Sequence, residues 1–150
     1  YGVDTFYVVT PLKDQQDLIN RIVSHWTRGI GSRYNPKRRQ ALELIQVRTT
    51  LSEIIQEIEA AHGQAPKTVV TSAQPAEASI TFKTLRQMLA DGIPHLLLFG
   101  TAWGLSDACI QAADFRLESI AGISVYNHLS VRSASAIILD RLLGGQHRKS

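Results

Sequence analysis

Hydrophobic positions along the chain switch between a period of two and a period near three and a half. Residues 5–10 (TFYVVT) are β-branched and aromatic and predict a strand, ended by Pro11. From Asp14 the apolar positions are Leu18, Ile19, Ile22, Val23 and Trp26, which share one helix face, and Gly29 and Gly31 predict its stop. Residues 28–40 are polar, basic and turn-rich, with Asn35-Pro36 among them, and predict a surface loop. Residues 42–47 predict a short strand. Thr50 and Glu53 then fit a capping box, in which hydroxyl and carboxylate each satisfy an orphan backbone N–H. Leu51, Ile54, Ile55, Ile58 and Ala61 follow on one helix face, with Gly63 where a left-handed cap would sit.

The second half repeats this alternation. A strand is predicted over 68–71 after Pro66, and a helix on Phe82, Leu85, Met88 and Leu89, closed by Gly92 and Pro94. Residues 95–99 are continuously apolar, as in a central parallel strand covered on both faces. A short helix over 105–113 and a weaker strand over 115–120 come next. Residues 123–131 fit neither period. Val131, Ala134, Ile138, Leu139 and Leu142 mark a last helix, with Ser130 as its N-cap. Strands alternating with amphipathic helices predict an α/β fold with a mostly parallel sheet flanked by helices. Ligands bind such sheets beyond the carboxyl ends of the strands. That directs attention to Thr71, Ser72 and Ala73, to Gly100 onward, and to the segment after Ile120.

Composition narrows the picture. The 150 residues are 44 % hydrophobic and 19 % charged, enough to bury a core, and no internal repeat or low-complexity tract stands out, so residues 1–150 read as one domain. The longest apolar runs fall far short of the ~20 residues of a membrane span. No basic stretch precedes the first apolar run, so a leader peptide is not expected. Tyr1 runs into a strand without cap or linker, and we expect a strand and a helix upstream of it. The single cysteine, Cys109, excludes an internal disulfide framework or a Cys-cluster zinc site and fits a reducing cytoplasm.

Several chemistries lack their signatures. There is no G-x-G-x-x-G after a strand, no P-loop, no G-x-S-x-G elbow, no H-E-x-x-H and no Cys-His pair at metal spacing, so no metal site is expected. The five histidines are scattered; His128 has the strongest claim to a role, through its polar neighbours. Three signals remain. Two glycines follow the apolar strand in Phe99-Gly100-Thr101-Ala102-Trp103-Gly104-Leu105, where they let backbone groups approach a ligand, although an ordinary βα loop reads the same way. The segment Tyr126-Asn127-His128-Leu129-Ser130-Val131-Arg132-Ser133 is polar and opens the last helix, which is also how a strand end and a capped helix would look. Residues 18–42 hold Arg21, Arg28, Arg33, Lys37, Arg38 and Arg39 without one carboxylate, interleaved with Trp26 and Tyr34. Unneutralised cations attract phosphates and aromatic faces stack on unpaired bases, so this stretch is a candidate RNA face; a solvated basic loop with Trp26 in the core is its bland counterpart.

The first two signals together resemble the SPOUT superfamily, the α/β-knot RNA methyltransferases, over most of the chain. There a strand ending L-L-F-G and a short loop to G-L precede an N-x-L-S motif opening the last helix. Here these read Leu97-Leu98-Phe99-Gly100 with Gly104-Leu105, and Asn127-His128-Leu129-Ser130. The T-A-W-G-L variant is similar to a small bacterial branch related to the tRNA guanine-N1 methyltransferases. The resemblance implies a C-terminal trefoil knot, S-adenosylmethionine bent among three knot loops, a homodimer and an RNA substrate, tRNA in the related enzymes.

Carried over by position, the cofactor loops hold Thr71, Ser72 and Ala73; Phe99, Gly100, Thr101, Trp103, Gly104 and Leu105; and Ile120, Tyr126, Asn127, Leu129, Ser130 and Ser133. Backbone groups of Gly100, Ile120 and Leu129 would meet the adenine edge, and Ser130, Ser133 or Asn127 the ribose and amino-acid part. Asn127 and Arg132 are the candidates for the catalytic segment, as groups that orient substrate. Arg28, Arg33, Tyr34, Lys37, Arg38 and Arg39 are the candidates for RNA contact. The guanine-N1 enzymes use an aspartate as base, and the Asn127 segment has none to match it, so the base stays unassigned. The stripe Ala134, Ile138, Leu142 is either dimer surface or core. The competing function is a non-catalytic RNA-binding module on the same scaffold.

Overall fold

A computed structural model describes residues 1–29, 35–101, 103–123 and 128–145. The chain divides into two compact units, Gly2–Ala61 and His62–Ser150 with Tyr1.

In the Gly2–Ala61 unit, strand β1 (Phe6–Val9) pairs in parallel with β2 (Ile45–Arg48), Phe6 opposite Ile45 and Val9 opposite Arg48. Helices α1 (Lys13–Thr27) and α2 (Pro36–Glu43) form the crossover, and α3 (Leu51–His62) follows β2. Thr10, the buried polar residue at the end of β1, is fully occupied. Its hydroxyl donates to Gln15 Oε1 at 2.8 Å and accepts from the Leu12 N–H, while its carbonyl accepts from Gln16 Nε2 at 2.7 Å. This tie orders the start of α1, which has no side-chain cap.

The Thr50–Glu53 capping box is present: Glu53 N–H donates to Thr50 Oγ1 at 3.2 Å, and Glu53 Oε2 accepts from the N–H groups of Thr49 and Thr50. Gly63 follows with φ +74°, the left-handed conformation a helix stop uses. Behind α3, Arg48 Nε lies 2.7 Å from Glu57 Oε2 and the Tyr7 hydroxyl donates to Glu57 Oε1 at 3.2 Å. The Arg48 hydrogen bond holds the Glu57 carboxyl below its usual range.

Two expectations need correction here. Residues 28–40 are not all loop, because α2 starts at Pro36. Asn-Pro commonly marks a turn, but Asn35 is the N-cap, its side chain accepting the Arg38 N–H at 3.0 Å, and Pro36 occupies the first turn, where a missing N–H costs nothing. The strand expected at 42–47 accordingly starts later, since Leu42 is still helical.

The His62–Ser150 unit contains β3 (Lys67–Val70), α4 (Phe82–Met88), β4 (His95–Leu98), α5 (Asp107–Ala112), β5 (Phe115–Arg116) and α6 (Val131–Leu143). Its sheet has the order β4-β3-β5, all parallel. The central strand is β3, with Thr68, Val69 and Val70 buried; β4, expected at the centre, is an edge of this sheet and only half-buried. Val69, Leu85, Leu117, Ile138 and Leu142 form the core. The stripe on α6 is thereby decided: Ile138 is 3 % and Leu142 0 % exposed within the chain's own core.

Arg141 caps this packing, its guanidinium 4.8 Å from the Phe82 ring centroid and its carbonyl accepting from Arg86. Asp114 pins the strand starts together. Its Oδ2 accepts from the Thr68 N–H (2.9 Å) and hydroxyl (2.8 Å), and its Oδ1 from Lys67 Nζ (3.0 Å). Burial raises the Asp114 carboxyl, but the Thr68 and Lys67 bonds outweigh it and hold the group below its ordinary value. Regular β5 pairing ends at Arg116, short of the expected 115–120. Leu117 then bridges to Ile80 as well as bonding Val70, so the chain leaves β3 to pair with the segment ahead of α4.

Candidate functional site

The order β4-β3-β5 sets the carboxyl ends of the three strands side by side. Beyond β3, Thr71 turns toward β4: its N–H and its hydroxyl both donate to the Leu98 carbonyl, at 3.1 and 2.9 Å. Ser72 Oγ accepts from the Gln74 N–H at 3.1 Å, which makes a tight local turn there, and Ala73 is exposed. Two residues that no sequence motif singles out shape the rest of the β3–α4 loop. Arg116 donates to the Gln74 carbonyl at 3.0 Å, and Glu118 Oε1 accepts from the Phe82 N–H at 2.5 Å. With the backbone pairing of Ile80 to Arg116 and Glu118, these fasten that loop to β5. They lie 42 and 36 residues from their partners, a distance no local pattern reaches.

Beyond β4, Phe99 packs against the core and Gly100 begins a closed turn. Gly104 N–H donates to the Thr101 carbonyl at 2.6 Å, and Gly104 has φ +80°. A Cβ on Gly100 would lie 2.2 Å from Gly104 C and 2.5 Å from Leu105 N. The sequence leads one to expect that this glycine lets a ligand approach; the structure gives a different reason, because the chain's own return strand occupies that space. Leu105 is half-buried. Trp103 is fully exposed at the tip of the turn.

Beyond β5, Ile120 packs against the same core as Phe99. Tyr126 and Asn127 lie outside the described residues. Leu129 is exposed, and Ser130 caps α6 by accepting the Ser133 N–H at 3.2 Å, with the two hydroxyls 3.0 Å apart. Arg132 is exposed in the first turn of α6. Following the three strands the chain thus presents Phe99 and Ile120, packed on the core, the exposed Leu129, and the hydroxyl-bearing residues Ser72, Thr101 and Ser130. Apolar faces with neutral hydroxyls and backbone groups are the donor set that an adenosine takes. Among the described residues no group of three or more His, Cys, Asp or Glu could hold a metal ion.

The basic residues lie in the other unit. Arg28 caps the end of α1, and Lys37, Arg38 and Arg39 are exposed on α2; Arg33 and Tyr34 lie outside the described residues. Arg39 is not a bare cation, because Glu43, one position past the carboxylate-free window, sits 2.7 Å from its Nε. Trp26 is half-buried with its ring covered by Arg38 at 4.5 Å, so it is neither a core residue nor an open stacking face.

Residues 1–144 match the family model described as SAM-dependent RNA methyltransferase. The chain belongs to that family. Its similarity to curated proteins spans nearly its whole length. It is 43 % identical over 144 residues to a protein of Oleidesulfovibrio alaskensis, and 44 % identical over 144 residues to one of Nitratidesulfovibrio vulgaris, both named tRNA (guanine-N(1)-)-methyltransferase. Each match covers 96 % of this chain but 33 % of the relative, so the chain spans about a third of those proteins' length. An uncharacterized protein of Aquifex aeolicus is 35 % identical over 143 residues, which cover 95 % of this chain and 70 % of that protein. The family's description makes S-adenosylmethionine the methyl donor.

Proposed function

We propose that this chain methylates RNA, with tRNA as the RNA class, and that S-adenosylmethionine is held where β3, β4 and β5 end. One observation supports the placement: the parallel order β4-β3-β5 sets the carboxyl ends of the three strands side by side, and residues 71–73 and 99–101 follow directly from β3 and β4. Phe99, Ile120 and Leu129 enclose the adenine faces, and backbone groups of Gly100, Ile120 and Leu129 bond its edge. Thr71, Ser72 and Ala73 form the neighbouring wall, with Thr101, Trp103, Gly104 and Leu105 continuing the second bend. Ser130 and Ser133 face the ribose and amino-acid part, together with Tyr126 and Asn127 from the undescribed stretch. When bound, the sulfonium supplies an already activated methyl group, so the chain's work is alignment and exclusion of water. Asn127 and Arg132 orient the RNA, and the cations Arg28, Arg33, Lys37, Arg38 and Arg39 with Tyr34 hold its backbone.

The relatives' names support tRNA and, for the whole proteins, guanine N1. A guanine N1 nucleophile must lose its proton. Among the described residues of the three bends there is no carboxylate to take it, and nearby Glu118 is engaged with the Phe82 N–H. The trefoil knot belongs to this reading too. It is supported by the parallel pairing of Leu117 with Ile80 just past β5 and by the packing of Ile138 and Leu142 of α6 with Leu85 of α4 in one core. A homodimer completes the proposal, through a face other than the buried Ile138 and Leu142, as does a cytoplasmic location, where tRNA is modified. No helix among the described residues is long and apolar enough to cross a membrane.

The test is transfer of labelled methyl from S-adenosylmethionine to an unmodified tRNA transcript by the full chain. Label in the RNA with a single methylated nucleoside on digestion is the expected result. RNA affinity without transfer would favour the binding-module function instead.

A further inference from the structure

The arginines of the Gly2–Ala61 unit are held in two different ways. Arg48 is neutralised by Glu57 and also donates to the Val47 carbonyl at 2.8 Å. Arg39 is neutralised by Glu43. Arg38 has no carboxylate and no acceptor for its guanidinium among the described residues, yet it is fixed at both ends. Its backbone N–H is taken by the Asn35 cap at 3.0 Å, and its guanidinium lies over the Trp26 ring, 4.5 Å from the centroid. Trp26 is itself braced by His25, edge-on at 5.3 Å and 89°.

This arrangement has a chemical consequence. A guanidinium stacked on an indole is attracted through its face, so the donors around its rim are not used up. A carboxylate partner would consume two of those donors and cancel the charge; an indole does neither. The rim presents a planar fork whose geometry matches an oxyanion with two adjacent oxygens, and a pre-oriented fork loses little entropy on binding one. The partner that fits is a phosphodiester. The preceding residue on the helix, Lys37, is exposed and adds charge on the same short element.

We propose that Arg38 clamps one phosphate of the RNA backbone and that Trp26 is its positioning residue. This rests on the RNA reading above and specifies it: Trp26 acts on the charge rather than stacking on a base. The fluorescence anisotropy of a labelled, unmodified tRNA transcript, titrated with the full chain across a range of KCl, tests it.

Arg38→Ala should weaken binding about tenfold at low salt and lower the magnitude of the log–log salt slope by about 0.7–0.9, one phosphate's worth. Arg38→Lys should keep the slope and lose most of the affinity. Trp26→Phe should bind as the parent does. Trp26→Leu, which removes no charge, should lose nearly as much as Arg38→Ala, lower the slope with it, and cost nothing further when the two are combined. Losses that multiply in the double variant, with an unchanged slope for Trp26→Leu, would make Trp26 a base-stacking residue and overturn the inference; so would an Arg38→Ala variant that binds like the parent. If Trp26→Leu fails to fold, judged by its thermal melt, the comparison of Arg38→Ala, Arg38→Lys and Trp26→Phe decides alone. Absence of RNA binding by the parent chain would end the RNA reading itself, while S-adenosylmethionine binding, read by calorimetry, tests the methyl-donor site separately.

Discussion

Gly100→Ala tests the architecture of the proposed cofactor edge most sharply. The added Cβ would sit 2.2 Å from Gly104 C, 2.5 Å from Leu105 N and 2.6 Å from Gly104 Cα, all backbone atoms. Ordinary contact begins at 3.4 Å, so the return strand must retreat by the difference between 3.4 and 2.2, 1.2 Å. The turn it belongs to is closed by the Gly104–Thr101 hydrogen bond and continues into the half-buried Leu105, so it cannot slide freely. Forced overpacking costs about 1–3 kcal/mol, and a clash with backbone alone belongs at the top of that range. A loss near 3 kcal/mol lowers the melting temperature of a 150-residue chain by roughly 6–12 °C. Gly104→Ala is the comparison: its φ of +80° is strained for alanine, but no atom lies within 4 Å of the new Cβ. That strain costs about 1 kcal/mol, or roughly 2–4 °C. Differential scanning fluorimetry on the three proteins reads the ranking, and calorimetry should show S-adenosylmethionine binding weakened more by Gly100→Ala. Equal melting temperatures for the parent and Gly100→Ala would refute the reasoning.

The hydrogen-bonded pins lead to further expected outcomes. Asp114 is held below its unfolded pKa, so its contribution is complete above that value, about 3.9, and disappears as pH falls through the lower folded value. Asp114→Asn should therefore cost stability at pH 7, where the bonds from Thr68 and Lys67 to the charged carboxylate are fully in place, and should flatten the acid limb of a stability–pH curve recorded between about pH 5 and pH 2, the two proteins converging at the acid end. Glu118→Gln should weaken the grip on the Phe82 N–H, and Arg116→Ala should free the Gln74 carbonyl; each should lower S-adenosylmethionine affinity in calorimetry with only a small change in melting temperature, because both hold a loop rather than the core. Thr50→Ala deletes one side of the capping box and should cost about 1 kcal/mol in chemical denaturation.

Local features were legible and long-range ones were not. The Thr50–Glu53 box and the Ser130 cap are written within four residues of chain, and both are present. Asn35-Pro36 is equally local but ambiguous, since the pair that opens a turn also opens a helix; only the Arg38 N–H meeting Asn35 decides it. Strand order depends on pairings between segments 28 residues apart, Lys67 with His95, so an apolar run suggests a central β4 when it lies at an edge. The carboxylate-free window ends one residue before Glu43, which hides the partner of Arg39. On α6, apolar spacing cannot tell core from interface until Leu142 is found beneath α4. At the sheet edge, the glycine motif does mark a place of close approach, but nothing in it says that the chain's own return strand is what approaches. Arg116 and Glu118 carry no motif at all, and only the folded chain connects them to the loop they hold.

A crystal structure of the full chain with S-adenosylhomocysteine, the demethylated product, tests the central claim most directly. The account places the adenine between Phe99 and Leu129 at the carboxyl edge of β4-β3-β5, with the C-terminal segment that carries α6 threaded through a loop of the chain. A nucleoside bound elsewhere, or a last helix that runs beside the sheet without passing through any loop, would contradict it.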